Sequence, residues 1–259
     1  MLTNEHVSVV DGAVLYDDGD HKFIWLGWEE EEEEGFVQVN QYIIINKGKG
    51  FLLDPGGVYV FPRVISNVST YIDIENIQMI FYSHQDPDVS SGIALWLANT
   101  PAEVYISNLW TRFVPHFGVT DIRRIKGIPD RGMTYALPSG DILEFIPAHY
   151  LHSVGQFNVY DKRSKILFSG DIGAAVFPRG ERKVFVEDFQ KHVPLMEGFH
   201  KRYMNGNVAC RKWVNEVKKR DIDMIAPQHG SIFKREDAKK FLDWFSSLRC
   251  GLDIINEIY

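Results

Sequence analysis

With 259 residues, 45% of them hydrophobic and 24% charged, the chain is long enough to bury one large α/β core and has the balance of a soluble globular protein. A formal net charge of −7 excludes a nucleic-acid-binding surface, which needs a basic face to meet phosphates. The two cysteines, Cys210 and Cys250, form no Cys-x-x-Cys pair, which excludes a zinc ribbon or a thioredoxin-type motif and suits a reducing compartment.

The N-terminus has no basic-then-apolar signal pattern, and no apolar run approaches the ~18 residues of a membrane helix. A cytoplasmic protein without membrane contact is expected. Up to about Gly35 the chain alternates polar and apolar residues, as edge strands of a first sheet do, and residues 23–28 are the most strand-like. Glu29 to Glu34 is an unbroken acidic run whose self-repulsion predicts a solvated loop. Two apolar strands, at 43–45 and 51–53, flank Lys47-Gly48-Lys49-Gly50 and predict a hairpin, the second strand ending in Asp54-Pro55-Gly56.

An amphipathic helix is predicted over 60–73, a buried strand over 77–82, a helix over 90–98 and a strand over 103–107, with another helix beginning at 108–113. Strands follow at 134–137, 141–147, 156–161 and 165–168, and Asp161-Lys162-Arg163-Ser164 supplies the turn between the last two. Residues 187–220 read as mainly helical, 223–227 as a strand, and Glu236 to Leu248 as an amphipathic helix. Two sheets with helices outside them predict an αββα sandwich, of class α/β (α+β), as one domain over 1–259. The chain has no low-complexity linker and no phosphate-cradling Gly-x-Gly-x-x-Gly.

The chemistry collects where strands end. After the apolar run 77–82 comes Ser83-His84-Gln85-Asp86-Pro87-Asp88-Val89-Ser90-Ser91-Gly92, one imidazole and two carboxylates at alternating positions. A loop between a strand end and a helix start is where open α/β folds place their sites. Alone, it still admits the lesser reading of a solvated acidic loop with an incidental histidine. Three more strand ends repeat the pattern: Pro147-Ala148-His149-Tyr150-Leu151-His152-Ser153, Phe168-Ser169-Gly170-Asp171-Ile172-Gly173 and Met224-Ile225-Ala226-Pro227-Gln228-His229-Gly230. Imidazoles mixed with carboxylates suit iron or manganese, whereas zinc sites lean toward His and Cys.

The order His-x-acid-x-Asp, then His, then Asp, then His-Gly resembles the metallo-β-lactamase fold. The acid at Asp86, where hydrolases of that fold usually have a second His, resembles its flavodiiron branch, whose motif is His-x-Glu-x-Asp-His, commonly followed by Ser-Gly. From Gln38 to His229 the chain is similar to stand-alone oxygen-binding diiron proteins, which keep the diiron domain and lack the flavodoxin domain with its FMN. The resemblance implies two iron ions, ferrous or ferric, with an oxo, hydroxo or peroxo bridge. His84, Asp86 and His152 would bind the first iron, Asp88 and His229 the second, and Asp171 would bridge them. Val89 stands where the family has the second iron's other His, so that iron is expected to be short of a donor and open to a diatomic ligand. Asp86 is also one methylene shorter than the family's Glu. Asp54 is expected to support the metal loop without ligating.

His149 is a spare imidazole, expected to hydrogen-bond beside the site or to pack rather than to compensate for Val89, and His116 is placed for a pocket wall. His6, His21, His192 and His200 have no supporting pattern and are expected at the surface. The function implied is that of a protein binding O2, or NO, and serving as an oxygen sensor that feeds chemotaxis receptor and histidine-kinase proteins. The alternatives are an O2 or NO reductase with a rubredoxin or flavoprotein donor, and a metallo-β-lactamase-type hydrolase. Asp86 and Val89 weigh against the hydrolase. Flavodiiron relatives pair head to tail, which implies a homodimer.

Overall fold

Short apolar runs in the first half of the chain, most of them buried on both faces, build a seven-stranded sheet in sequential order. Its strands are β1 (Ala13–Asp17), β2 (His21–Trp25), β3 (Tyr42–Asn46), β4 (Lys49–Leu53), β5 (Ile77–Phe81), β6 (Glu103–Ser107) and β7 (Ile125–Ile128). The computed structural model describes residues 2–30 and 37–259, so Glu31 to Glu34 of the acidic run lie outside the described residues. Strands β1 to β4 pair antiparallel, and β4 to β7 parallel. The parallel pairs need crossovers: α1 (Phe61–Tyr71) joins β4 to β5, α2 (Pro87–Ser90) and α3 (Ile93–Asn99) join β5 to β6, and turns with two 3₁₀ segments join β6 to β7. Val64 and Val68 of α1 and Ile93 and Trp96 of α3 pack with Ile43, Leu52, Ile80 and Val104 on the outer face of this sheet.

The second half forms a six-stranded sheet in the order β13-β12-β11-β10-β9-β8. These strands are β8 (Met133–Ala136), β9 (Ile142–Pro147), β10 (Phe157–Asp161), β11 (Ile166–Gly170), β12 (Met224–Pro227) and β13 (Phe233–Lys234). Between the parallel pair β11 and β12 the chain leaves for α4 (Phe189–Tyr203) and α5 (Asn207–Val217), and α6 (Arg235–Ser247) follows β13. Met196, Trp213, Phe241 and Phe245 of these helices cover Ile146, Leu167 and Ile225. The opposite faces of the two sheets meet through Phe23, Tyr42, Phe51, Phe81, Phe145, Phe157 and Phe168. The layers are therefore helix, sheet, sheet, helix. Phe168 meets Tyr42 and Phe81 edge-on at 5.5 and 6.2 Å, and truncating such a residue to Ala costs about 3–5 kcal/mol. No helix among the described residues is long and apolar enough to cross a membrane.

Several details differ from the sequence reading. The hairpin turn is shorter than the four residues read from sequence: Lys47 and Gly48, both at positive φ (47° and 72°), suffice, and Lys49 and Gly50 already belong to β4. Residues 108–113 are turns, followed by a 3₁₀ segment, Val114–Phe117. His21, His192 and His200 are buried, not at the surface, whereas His6 is exposed. His21 lies between Asp161 (2.7 Å) and Asn46 (2.9 Å), a cross-sheet polar contact that its own strand pattern does not reveal.

Candidate metal centre

Strands β4, β5, β11 and β12 end at one edge of the sandwich, where backbone bonds lock the ends together. Phe157 N donates to Ser83 O (3.0 Å), and Gln228 N donates to Gly170 O (2.7 Å). Gly170, at φ 55°, makes this approach possible, since a Cβ there would lie 3.0 Å from Ser83 Cβ and Oγ. Pro87 opens the one-turn helix α2, so Asp86 stands at its N-cap and Asp88 within it.

His84, Asp86, Asp88, His152, Asp171 and His229 converge at this edge. His152 Nε2 lies 3.0 Å from Asp171 Oδ2 and 3.3 Å from Asp86 Oδ2. His84 Nε2 lies 3.8 and 3.6 Å from the same two oxygens. On the other side, His229 Nε2 is 3.3 Å from Asp88 Oδ2 and 3.7 Å from Asp171 Oδ1. Asp171 thus faces one group with each carboxylate oxygen. Oδ1 is buried without a hydrogen-bond partner, a costly condition for a carboxylate that a cation would relieve. Ligand atoms of His84, His152 and Asp171 lie within 4.8 Å of one another, compatible with one ion. A second ion would meet Asp88, His229 and Asp171 Oδ1. Hard oxygen and imidazole donors without thiolate fit iron or manganese.

The supporting hydrogen bonds fix imidazole orientation. His84 Nδ1 donates to Ser83 Oγ (2.9 Å), whose hydroxyl donates to Asp54, and Ser83 N donates to Asp54 Oδ1 (2.7 Å). His229 Nδ1 donates to Gln38 O (2.8 Å). Each Nε2 lone pair is left for a cation, the arrangement by which outer partners set a ligand's tautomer. Gln85 Nε2 donates to Asp86 Oδ1 (2.9 Å), and Gln85 Oε1 accepts from Ser153 Oγ (2.8 Å), which ties the loops of His84 and His152 together. Gln228 Nε2 donates to Asp88 Oδ2 (3.3 Å). Ser83, Gln85 and Gln228 all adjoin histidines or acids already singled out, but spacing alone gives them no role.

Electrostatics follow from this crowding. Burial pushes His152 and His229 down, but Asp171 and Asp86 raise His152 to about 10, and Asp88 and Asp171 raise His229 to about 9. Burial pushes Asp171 up, yet His84, His152 and His229 bring it to about 2. Against burial, His152 and His84 hold Asp86 well below the usual carboxylate range. Asp54, facing no cation as directly, is raised by burial to about 7, despite His84 and Ser83. Without metal, the site is a set of mutually neutralising imidazoliums and carboxylates.

Asp54 lies behind His84, bonded to Ser83. His149 turns its Nε2 to Asp130 O (2.7 Å) and packs edge-on against Phe157. His116 is exposed on the 3₁₀ segment. Val89 is fully buried in the helix-side core of the first sheet. Phe199 and Tyr203 of α4 stack on each other and meet the His152 ring edge-on at 6.2 and 5.7 Å.

A model of the family described as ODP family beta lactamase matches residues 37–230. A solved structure of the peroxy diiron species of chemotaxis sensor ODP is 54% identical with a TM-score of 0.87, covering 96% of this chain and 100% of that one. The apo state of chemotaxis sensor ODP from T. denticola is 54% identical with a TM-score of 0.85, covering 96% and 99%. The Flavo-diiron protein FprA2 of Clostridium acetobutylicum is 25% identical over 203 residues, 76% of this chain and 50% of that protein. The chain spans about half the length of the curated relatives it matches. Its αββα sandwich is the metallo-β-lactamase-like fold of these neighbours.

Proposed function

The chain belongs to the ODP family beta lactamases, and from that premise we propose that it is a non-haem diiron protein that binds O2 and acts as an oxygen sensor in chemotaxis signalling. The observation that carries this reading is Asp171, with one oxygen toward His84 and His152 and the other, unpartnered, toward His229. His84, Asp86, His152 and Asp171 would hold one iron, and Asp88, His229 and Asp171 the other. Two ferrous ions, when bound, supply the electrons and the open coordination that O2 uptake requires.

The chain's own residues prepare that centre. Ser83 and Gln38 keep Nδ1 of His84 and His229 protonated, so Nε2 faces inward. Gln85 occupies Asp86 Oδ1 and leaves Oδ2 toward the imidazoles. Val89 contributes only packing, so the side of Asp88 and His229 has one donor fewer than the flavodiiron motif provides. Phe199 and Tyr203 wall the His152 side with apolar rings. The proposal extends to one domain over 1–259 without FMN, a cytoplasmic homodimer, and receptor or histidine-kinase partners.

Anaerobic loading with Fe2+ and a single pulse of O2, with and without a reduced flavoprotein donor, tests the reading. A new visible absorption that persists even with donor present is expected. Rapid return to the reduced spectrum with stoichiometric donor consumption would make the protein a reductase. Absence of any O2-dependent change would end both readings.

A further inference from the structure

Cys210 and Cys250 are 40 positions apart and both fully buried, yet their sulfurs lie 3.7 Å from each other. Cys210 is in the first turns of α5. Cys250 directly precedes the 3₁₀ segment Gly251–Ile254, and its sulfur accepts a hydrogen bond from the Asp253 backbone N–H. Asp253 Oδ2 in turn accepts from Cys250 N (3.1 Å) and from Asn207 N (2.6 Å), at the start of α5. One carboxylate therefore holds the two cysteine-bearing segments together, whatever the sulfurs do.

A buried thiol is ordinarily an inert small hydrophobe. Here the Asp253 N–H points at the Cys250 sulfur, and the two thiols share a further hydrogen bond. The Cys210 hydrogen bond favours the Cys250 thiolate, outweighing burial and the nearby Asp253 charge, which oppose it. A cavity of about 460 Å³ lined by Tyr203, Met204, Asn205, Gly251 and Leu252 opens beside the residue following Cys250. It brings a water-sized oxidant to within one residue of Cys250.

We infer that Cys210 and Cys250 are a modification site, a dithiol that a small hydroperoxide converts to a reversible intrachain disulfide. The Cys250 thiolate attacks the peroxide, the O–O bond breaks, one oxygen leaves as water or alcohol, and the other remains on sulfur as a sulfenic acid. Cys210 sulfur then attacks that sulfur, the S–S bond forms, and the sulfenic oxygen leaves as water with the Cys210 proton. Two thiols and one hydroperoxide give one disulfide, one water and one alcohol or second water, with two electrons passing from sulfur to oxygen. The sulfurs must close from 3.7 Å to about 2.05 Å for the bond to form. Leu252 N donates to Asn205 O (2.8 Å), and Asn205 N donates to Tyr150 O (3.1 Å), two residues before His152. These two bonds tie the Cys250 segment to the loop that carries His152.

The test uses the full, metal-free chain, so its outcome is separate from that of the oxygen-sensor reading. The protein is treated with a small excess of H2O2, quenched, unfolded, and alkylated with N-ethylmaleimide for intact-mass measurement. Untreated protein should carry adducts on both cysteines. Treated protein should carry none, weigh two hydrogens less and remain a single chain, and dithiothreitol should restore both adducts. Thiols that still alkylate after treatment, oxidation that stops at oxygenated sulfur, or cross-links only between chains would overturn the inference. In the presence of dimedone, Cys210→Ser should trap the sulfenic acid on Cys250 about tenfold or more faster than Cys250→Ser traps one on Cys210. Equal rates would also overturn it. If either variant fails to fold, the wild-type mass measurement still decides.

Discussion

His84 and His229, at the strand ends, are as buried as His192 and His200 on α4, but the two sets titrate in opposite directions. Burial lowers His192 and His200 to about 4: His192 packs between Phe177 and Phe233 with no bond to Nε2, and His200 accepts from Gly173 N and donates to Met196 O. Burial acts the same way on His84, His152 and His229, and the facing carboxylates reverse it. A low-dielectric interior expels an imidazolium unless an anion meets it. The histidines that retain a proton without metal are therefore those whose anions a cation would share. Burial alone does not mark the site; burial opposed by carboxylates does.

The largest test of this contrast is proton release. His152 and His229 are protonated at neutral pH in the metal-free chain, so loading must expel at least two protons. Apparent metal affinity should then rise by about a hundredfold per pH unit between roughly pH 7 and 8.5. Anaerobic calorimetry with Mn2+ in buffers of different ionisation enthalpy counts the protons, and release of none would mean that the imidazoles are already neutral. In the metal-free chain these two groups also stabilise the fold fully below about pH 6.5 and lose that contribution as pH rises through 9 and 10.

Next in size is Ser83→Ala, which removes the acceptor of His84 Nδ1 and the donor to Asp54. It should weaken metal binding by about 10–100-fold, as competition with a chelator would show, and cost the metal-free chain about 1–3 kcal/mol, because the buried Asp54 carboxylate loses a donor. On the other side of the comparison, His192 is neutral when folded and protonated when unfolded, so stability falls as pH drops from 6.5 toward 4. His192→Leu should remove that loss, a gain of about 2 kcal/mol at pH 5 relative to pH 8. Urea melts at the two pH values test it, and an equal effect at both would contradict the titration argument. The smallest effect expected is from Gln85→Ala, which frees Asp86 Oδ1 and loses the bond to Ser153. It should cost about 1 kcal/mol and less than tenfold in metal affinity, measured by the same chelator competition.

The sandwich and its strand ends were legible because polar residues interrupt apolar runs at regular places. His84, Asp86, Asp88, His152, Asp171 and His229 could all be picked out that way. What escaped depends on contacts distant along the chain. The period of α4 cannot show that His200 lies under Gly173, nor that of β2 that His21 meets Asp161 across the two sheets. Cys210 and Cys250 give no local signal of touching. Strand β7, Ile125-Lys126-Gly127-Ile128, is too short and too polar to stand out, although it pairs with β6 along its length. The stretch 108–113 looks helical by composition, yet it forms only turns, and Pro115 follows within the 3₁₀ segment.

The central claim is that Asp171 is shared between two metal positions. Iron per chain in the wild type and in Asp171→Asn, with Mössbauer spectra of the 57Fe-loaded oxidised forms, tests it most directly. The account predicts two irons in an exchange-coupled pair for the wild type, and at most one weakly held iron, with coupling lost, for the variant. A wild type that binds a single iron, or a variant that retains a coupled pair, would contradict it.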